Sequence, residues 1–121
     1  MKRVILESPY KGRDKSEVAR NELYARLCML QCLRTGRAPM VSHLLYTQCL
    51  DDGISKERRL GIEAGLAWGT EGVETVAFMD LGVSEGMVIG TERAREQGRR
   101  WRYEQLDADL IEIYNNKAPT L

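Results

Sequence analysis

The chain has 121 residues and a mass of 13.8 kDa. That is the size of one domain, here 1–121, able to bury a core without disulfide or metal staples. Eighteen Lys and Arg balance eighteen Asp and Glu, for a formal net charge of zero; this argues against a broad nucleic-acid surface but leaves room for a local anion site. With 43% hydrophobic and 30% charged residues, the composition is that of a globular chain rather than a disordered one.

Val4-Ile5-Leu6 is a short apolar run closed by Ser8-Pro9, and reads as a first buried strand. Three residues are too few for a secretory leader, which needs ~7–15. No stretch approaches the ~18 apolar residues of a membrane span. Tyr10 to Lys15 is a loop at the strand's carboxyl end. Asp14, with Glu17 three residues on, is a capping-box-like helix start. Ala19, Leu23, Leu27, Leu30 and Leu33 then recur at helical spacing, and Gly36 is a left-handed stop. Cys28 and Cys32, four apart, share one face of this helix and read as packed free thiols. With Cys49 they make an odd count, which fits a reducing cytoplasm.

Pro39 to Ser42 forms a short strand, His43 to Leu50 a short helix or turn, and Asp51-Asp52-Gly53 a turn. Ser55 opens a second long helix with Leu60, Ile62, Ala64, Leu66, Ala67 and Trp68 as buried candidates. Gly61 and Gly65 allow a close helix–helix approach, by default within the chain. Val73 to Asp80 is a nearly continuous apolar run, as in a parallel strand covered on both faces. After the loop Gly82 to Gly86, a helix runs from about Glu85 to Gln97, stopped by Gly98; Trp101 to Leu106 reads as the last strand. Leu110, Ile111, Ile113 and Tyr114 form a short periodic piece, ended by Asn-Asn-Lys-Ala-Pro.

Strands alternating with helices imply βαβ units: an α/β fold with a small, mostly parallel sheet between helices. Ligands bind beyond the carboxyl ends of such strands. Two edges lie there, Ser8-Pro9-Tyr10-Lys11-Gly12 and Asp80 to Met87. Ser84-x-Gly86 at a helix start offers a hydroxyl, free N–H groups and the positive end of a helix dipole, a site for phosphate or carboxylate; the alternative is a plain helix cap. Asp80 either accepts from sugar hydroxyls or caps the following turn. Tyr10 and Lys11 either stack on a base and neutralise a phosphate or belong to a solvated loop. His43, the sole histidine, reads as a structural hydrogen-bonder, with catalysis as the alternative. No nucleophile triad, Walker loop or dinucleotide fingerprint is legible, and neither metal nor cofactor is expected.

The sequence resembles a family of small phage and bacterial proteins within the nucleoside 2-deoxyribosyltransferase-like superfamily. The resemblance runs through Ser8 to Gly12, Asn21, Ala25-Arg26, Gly36, Pro39, His43-Leu44-Leu45, Leu50-Asp51-Asp52, Arg58, Gly61, Ala64-Gly65-Leu66, Asp80 to Met87, and Ala94. It implies a Rossmann-like three-layer sandwich, a homo-oligomer whose subunits complete each other's pockets, and a nucleoside or nucleotide ligand. It implies ligand binding by Ser8, Tyr10, Lys11, Gly12, His43, Asp80, Gly82, Ser84, Gly86 and Met87, with phosphate on Ser84 and Gly86. In the related enzymes a nucleophilic Glu stands six residues beyond the Ser; that position is Gly90 here. Asp80, Glu85 and Glu92 are the carboxylates left as catalytic candidates. Three functions follow as expectations. The first is a cytoplasmic binder of a nucleotide or ADP-ribose-like molecule, which for a phage protein means sequestering a host immune signal. The second is an N-glycoside hydrolase or deoxyribosyltransferase acting on nucleosides or their monophosphates. The third is a structural protein that keeps the fold without the pocket.

Overall fold

The computed structural model describes residues 1–118. Strands β1 (Lys2–Glu7), β2 (Arg37–Met40), β3 (Glu74–Phe78) and β4 (Trp101–Glu104) form one all-parallel sheet in the order β2-β1-β3-β4. The helices are α1 (Lys15–Arg34), α2 (Ser42–Leu45), α3 (Ser55–Leu66), α4 (Glu85–Glu96) and α5 (Ala108–Lys117), with a 3-10 turn at Tyr46–Gln48. The architecture is the expected α/β, Rossmann-like three-layer fold.

Side chains alternate across each strand. Val4, Leu6, Val76 and Phe78 join Tyr24, Leu27, Cys28 and Cys32 of α1 and Leu110 and Tyr114 of α5 in one hydrophobic cluster. The opposite face carries Ile5, Glu7, Thr75 and Ala77, against Met87, Gly90, Thr91 and Ala94 of α4. Every residue of β3 is buried, the polar Glu74 and Thr75 included.

Several boundaries and faces differ from expectation. β2 starts two residues before Pro39, because Gly36 (φ 75°) turns the chain and its carbonyl accepts from Lys2 N at 3.0 Å. Ser42 opens α2 instead of closing β2. β4 stops at Glu104 because Leu106 N turns to the Asp80 carboxylate, at 3.0 Å from Oδ2. α5 continues through Asn115, Asn116 and Lys117; Pro119, the expected breaker, lies outside the described residues.

α1 is rotated from the leucine stripe. Ala19, Leu30 and Leu33 are exposed, while Asn21, Tyr24, Cys28, Gln31 and Cys32 are buried. The two amides can be buried because each is hydrogen-bonded. Asn21 Nδ2 donates to Tyr10 O at 3.0 Å. Gln31 donates to Glu104 Oε2 at 2.8 Å and accepts from Asp107 N at 2.7 Å. Cys28 and Cys32 are buried free thiols, as expected.

In α3 only Gly65 is fully buried; Leu60 and Trp68 are exposed and Ala67 lies at the surface. The two glycines serve packing inside the chain. A Cβ on Gly65 would lie 2.5 Å from Ser42 Oγ, and one on Gly61 would lie 3.4 Å from Leu50 Cδ1. No helix among the described residues is long and apolar enough to cross a membrane, and no group of three or more metal-ligating side chains occurs there.

Candidate functional site

In this strand order the chain leaves β1 toward β2 on one side, while β3 and β4 lie on the other. The β1–β3 junction is therefore the switch point where such sheets open a crevice. A cleft of about 480 Å³ lies there. Its floor is Glu7 and Ser8 at the end of β1, and its sides are the β1–α1 loop, α2–α3 and the first turns of α4.

The loop is held in place by short-range polar bonds. Asp14 caps α1 by accepting from Glu17 N at 2.9 Å. Arg13 lies over the same turn, paired with Glu17 at 2.9 Å. Asn21 fixes the Tyr10 carbonyl, so Tyr10 reaches across to the His43 ring, edge-on at 6.1 Å between centroids. Lys11 has no ion-pair partner among the described residues. His43 Nε2 lies 2.7 Å from Ser8 Oγ. Burial pushes its pKa down to about 4, so the ring is neutral at pH 7. His43 is thus the hydrogen-bonding partner of Ser8, and both line the cleft.

On the other wall, Ser84 caps α4. Its hydroxyl accepts from Met87 N at 3.3 Å, and the Met87 sulfur accepts from Ser84 N at 3.4 Å. Val88 N takes the Ser84 carbonyl. The N–H groups of Glu85 and Gly86 keep no protein partner among the described residues. That leaves two backbone donors and the Ser84 hydroxyl proton at the positive end of a 12-residue helix.

Of the expected ligand residues, Ser8, Tyr10, Lys11, Gly12, His43, Ser84 and Gly86 line this one cleft, and Glu85 lines it too. Asp80, Gly82 and Met87 do not. Asp80 is engaged inward: the Tyr24 hydroxyl donates to Oδ2 at 2.5 Å, and Leu106 N donates to the same oxygen. Burial, followed by the neighbouring Cys28 and Asp80, pushes the Tyr24 pKa up, so its hydroxyl keeps the proton it donates. Gly82 (φ 93°) serves the turn after β3, and Met87 is buried beneath the α4 cap. Glu92 is exposed and paired with Arg95 at 2.6 Å.

Glu7 was not among the expected residues, and it has the most perturbed environment of the cleft's carboxyls. Burial pushes its pKa up to about 8, against the opposing pull of Arg99. Its carboxyl makes no hydrogen bond or ion pair among the described residues. A Cβ built on Gly90 would lie 2.5 Å from Glu7 Cδ, so the carboxyl fills the space in front of Gly90. The available signal was its place: an acid closing a buried strand at the carboxyl edge, as Asp80 does for β3. The α3 wall, with Arg58, Ile62 and Leu66, was also missed, since nothing in its spacing tells which side of the sheet it covers.

A family model described as a domain of unknown function, DUF7768, matches residues 2–104. No curated protein and no solved structure matches the chain. The matched span holds all four strands and all of the cleft.

Proposed function

Starting from the chain's membership of the DUF7768 family, we propose that it binds a small phosphorylated nucleoside, a nucleotide or ADP-ribose-like molecule, in the cleft at the β1–β3 junction. The observation that carries the reading is the convergence, on one cleft of about 480 Å³, of the α4 N-terminus, Ser84 and the unpaired Lys11. That set suits a phosphate, and the volume suits a nucleotide-sized molecule. Tyr10, edge-on to His43, supplies a ring for the base or sugar. The resemblance to the nucleoside 2-deoxyribosyltransferase-like superfamily supports the same ligand class and adds a homo-oligomer in which a neighbour completes the cleft. Its phage members extend the reading to sequestration of a host signalling nucleotide. Calorimetry against a panel of mononucleotides, ADP-ribose and cyclic nucleotides tests it. Micromolar binding by wild type, weakened at least tenfold by Ser84→Ala with Lys11→Ala, is expected; no heat from any member at high micromolar concentration refutes it.

One observation favours a second reading, N-glycoside hydrolysis. The position of the related enzymes' nucleophile is Gly90, and the Glu7 carboxyl fills the space before it. In that reaction water adds to the anomeric carbon, the base departs with the bonding electron pair, and Glu7 relays the proton from water to base. Chromatography for free base after incubation with nucleoside monophosphates is the test. Release by wild type and none by Glu7→Gln is the outcome this reading requires.

A further inference from the structure

We propose that Glu7 is a ligand-contacting acid: its carboxyl hydrogen-bonds an oxygen of the carbon skeleton that carries the bound phosphate. This rests on the phosphate-binding reading above and adds what the neighbouring group recognises.

Three observations carry it. First, the carboxyl is open to the cleft. Every fully buried side-chain nitrogen or oxygen among the described residues has a hydrogen-bond partner. The Glu7 oxygens have none, so they retain access to the cleft that Glu7 lines. Second, Glu7 and the anion site share one wall of the cleft. The Glu7 carboxyl lies against Gly90, one helical turn further along α4 than Gly86. A ligand whose phosphate sits on the helix N-terminus and whose carbon skeleton runs back along α4 meets that carboxyl. Third, the charge state suits an anion. An ionised carboxylate one turn from a phosphate repels it, while a neutral carboxyl offers an O–H donor and a carbonyl acceptor.

The surroundings keep Glu7 neutral. α4 presents the side-chain-free Gly90, and β3 pairs Glu7 with Ala77. Behind it, Arg99 favours the ionised form, but is itself held by Val73 O and Thr75 Oγ1. Across the cleft stand Lys11 and Glu85, and the neutral His43. The remaining charges are the Arg13–Glu17 pair, the Arg58–Asp52 pair and Glu57. Burial outweighs the one cation that acts on it and pushes the pKa up to about 8.

The experiment is calorimetry with ribose 5-phosphate at pH 7 and pH 9, on wild type and Glu7→Gln, whose amide keeps a donor at the same place. Wild type is expected to bind about tenfold more weakly at pH 9, because only the protonated acid donates. Glu7→Gln, which has no titratable carboxyl, is expected to show a flat profile between pH 7 and pH 9. A wild-type profile that is flat, or one that Glu7→Gln reproduces, overturns the proposal while leaving phosphate binding intact. Absence of ribose 5-phosphate binding at both pH values overturns the proposal, while the nucleotide panel decides the binding reading itself. Should Glu7→Gln not fold, a carbon-detected NMR titration of the wild-type carboxyl decides. Saturating ribose 5-phosphate raises its midpoint further than saturating inorganic phosphate does if Glu7 donates to the carbon skeleton, and an equal or smaller rise overturns the proposal.

Discussion

Glu7 of β1 and Gly90 of α4 share one space: a methyl group at position 90 would stand 2.5 Å from the Glu7 carboxyl carbon and from Oε1. The glycine makes room for the acid. In wild type, Gly90→Ala must push the Glu7 carboxyl aside, which offsets part or all of the roughly 1 kcal/mol that alanine gains from helix propensity. In a Glu7→Ala background the same change is expected to stabilise by up to about 1 kcal/mol. Urea melts of the four proteins close the cycle; an equal effect in the two backgrounds would contradict the shared space.

The same acid and His43 set opposing pH dependences. Glu7 moves from an ordinary 4.5 to about 8. In that window the folded protein keeps a proton that the unfolded chain has released, so stability falls as pH rises. His43 moves from 6.5 down to about 4. There the unfolded chain takes a proton that the folded one refuses, so stability rises with pH. The slopes offset between about pH 4.5 and 6.5, leaving a decline from 6.5 to 8 of at most about 1.4 kcal/mol per pH unit. Denaturation at pH 5.5, 6.5 and 8 measures it, and Glu7→Gln should remove the decline.

Asp80 is expected to act on stability and not on ligand affinity. It ties the end of β3 to Tyr24 and to the chain after β4. Asp80→Ala is expected to cost about 2–3 kcal/mol, the scale of lost hydrogen bonds to a charged group. Calorimetry with ribose 5-phosphate should find its affinity unchanged at temperatures where the variant is folded.

A second polar tie runs beneath α1. Arg37 at the start of β2 makes a two-pronged pair with Glu104 at the end of β4, at 2.8 Å on each oxygen. Burial pushes the Glu104 pKa up, but hydrogen bonds from Arg37 and Gln31 outweigh it and hold the carboxyl below its ordinary value. Arg37→Met leaves Glu104 with Arg102, at 3.0 Å, and with Gln31, so it is expected to cost about 1.5–3 kcal/mol, the scale of lost hydrogen bonds to a charged group. A thermal or urea melt measures it.

The fold was largely legible because its signals are local. The nearly continuous apolar run around β3 and the glycine stops at 36 and 98 required no tertiary knowledge. The buried face of α1 was not legible, because two of its positions are amides whose partners, Tyr10 and Glu104, come from other segments. The site was half legible. Ser84 and Gly86 announce a helix start, and Tyr10 and Lys11 follow a strand, so both edges could be placed on one side of the sheet. Whether the Asp80 carboxylate turned in or out depended on Tyr24, which comes from a distant turn of α1. Glu7 looked like the end of a strand until Gly90 was set opposite it.

The burial of α3 has a consequence for traffic through the cleft. This wall packs on α2 and touches α4, with Gly65 its single fully buried residue. The floor, by contrast, sits on the closed α1–α5 cluster. Amide hydrogen exchange should therefore be faster in Ser55–Leu66 than in β1 and β3, since local opening follows buried apolar contact. On the proposed binding reading, a guest enters by loosening one outer wall while the floor stays rigid, so admission and recognition fall to separate parts of the molecule.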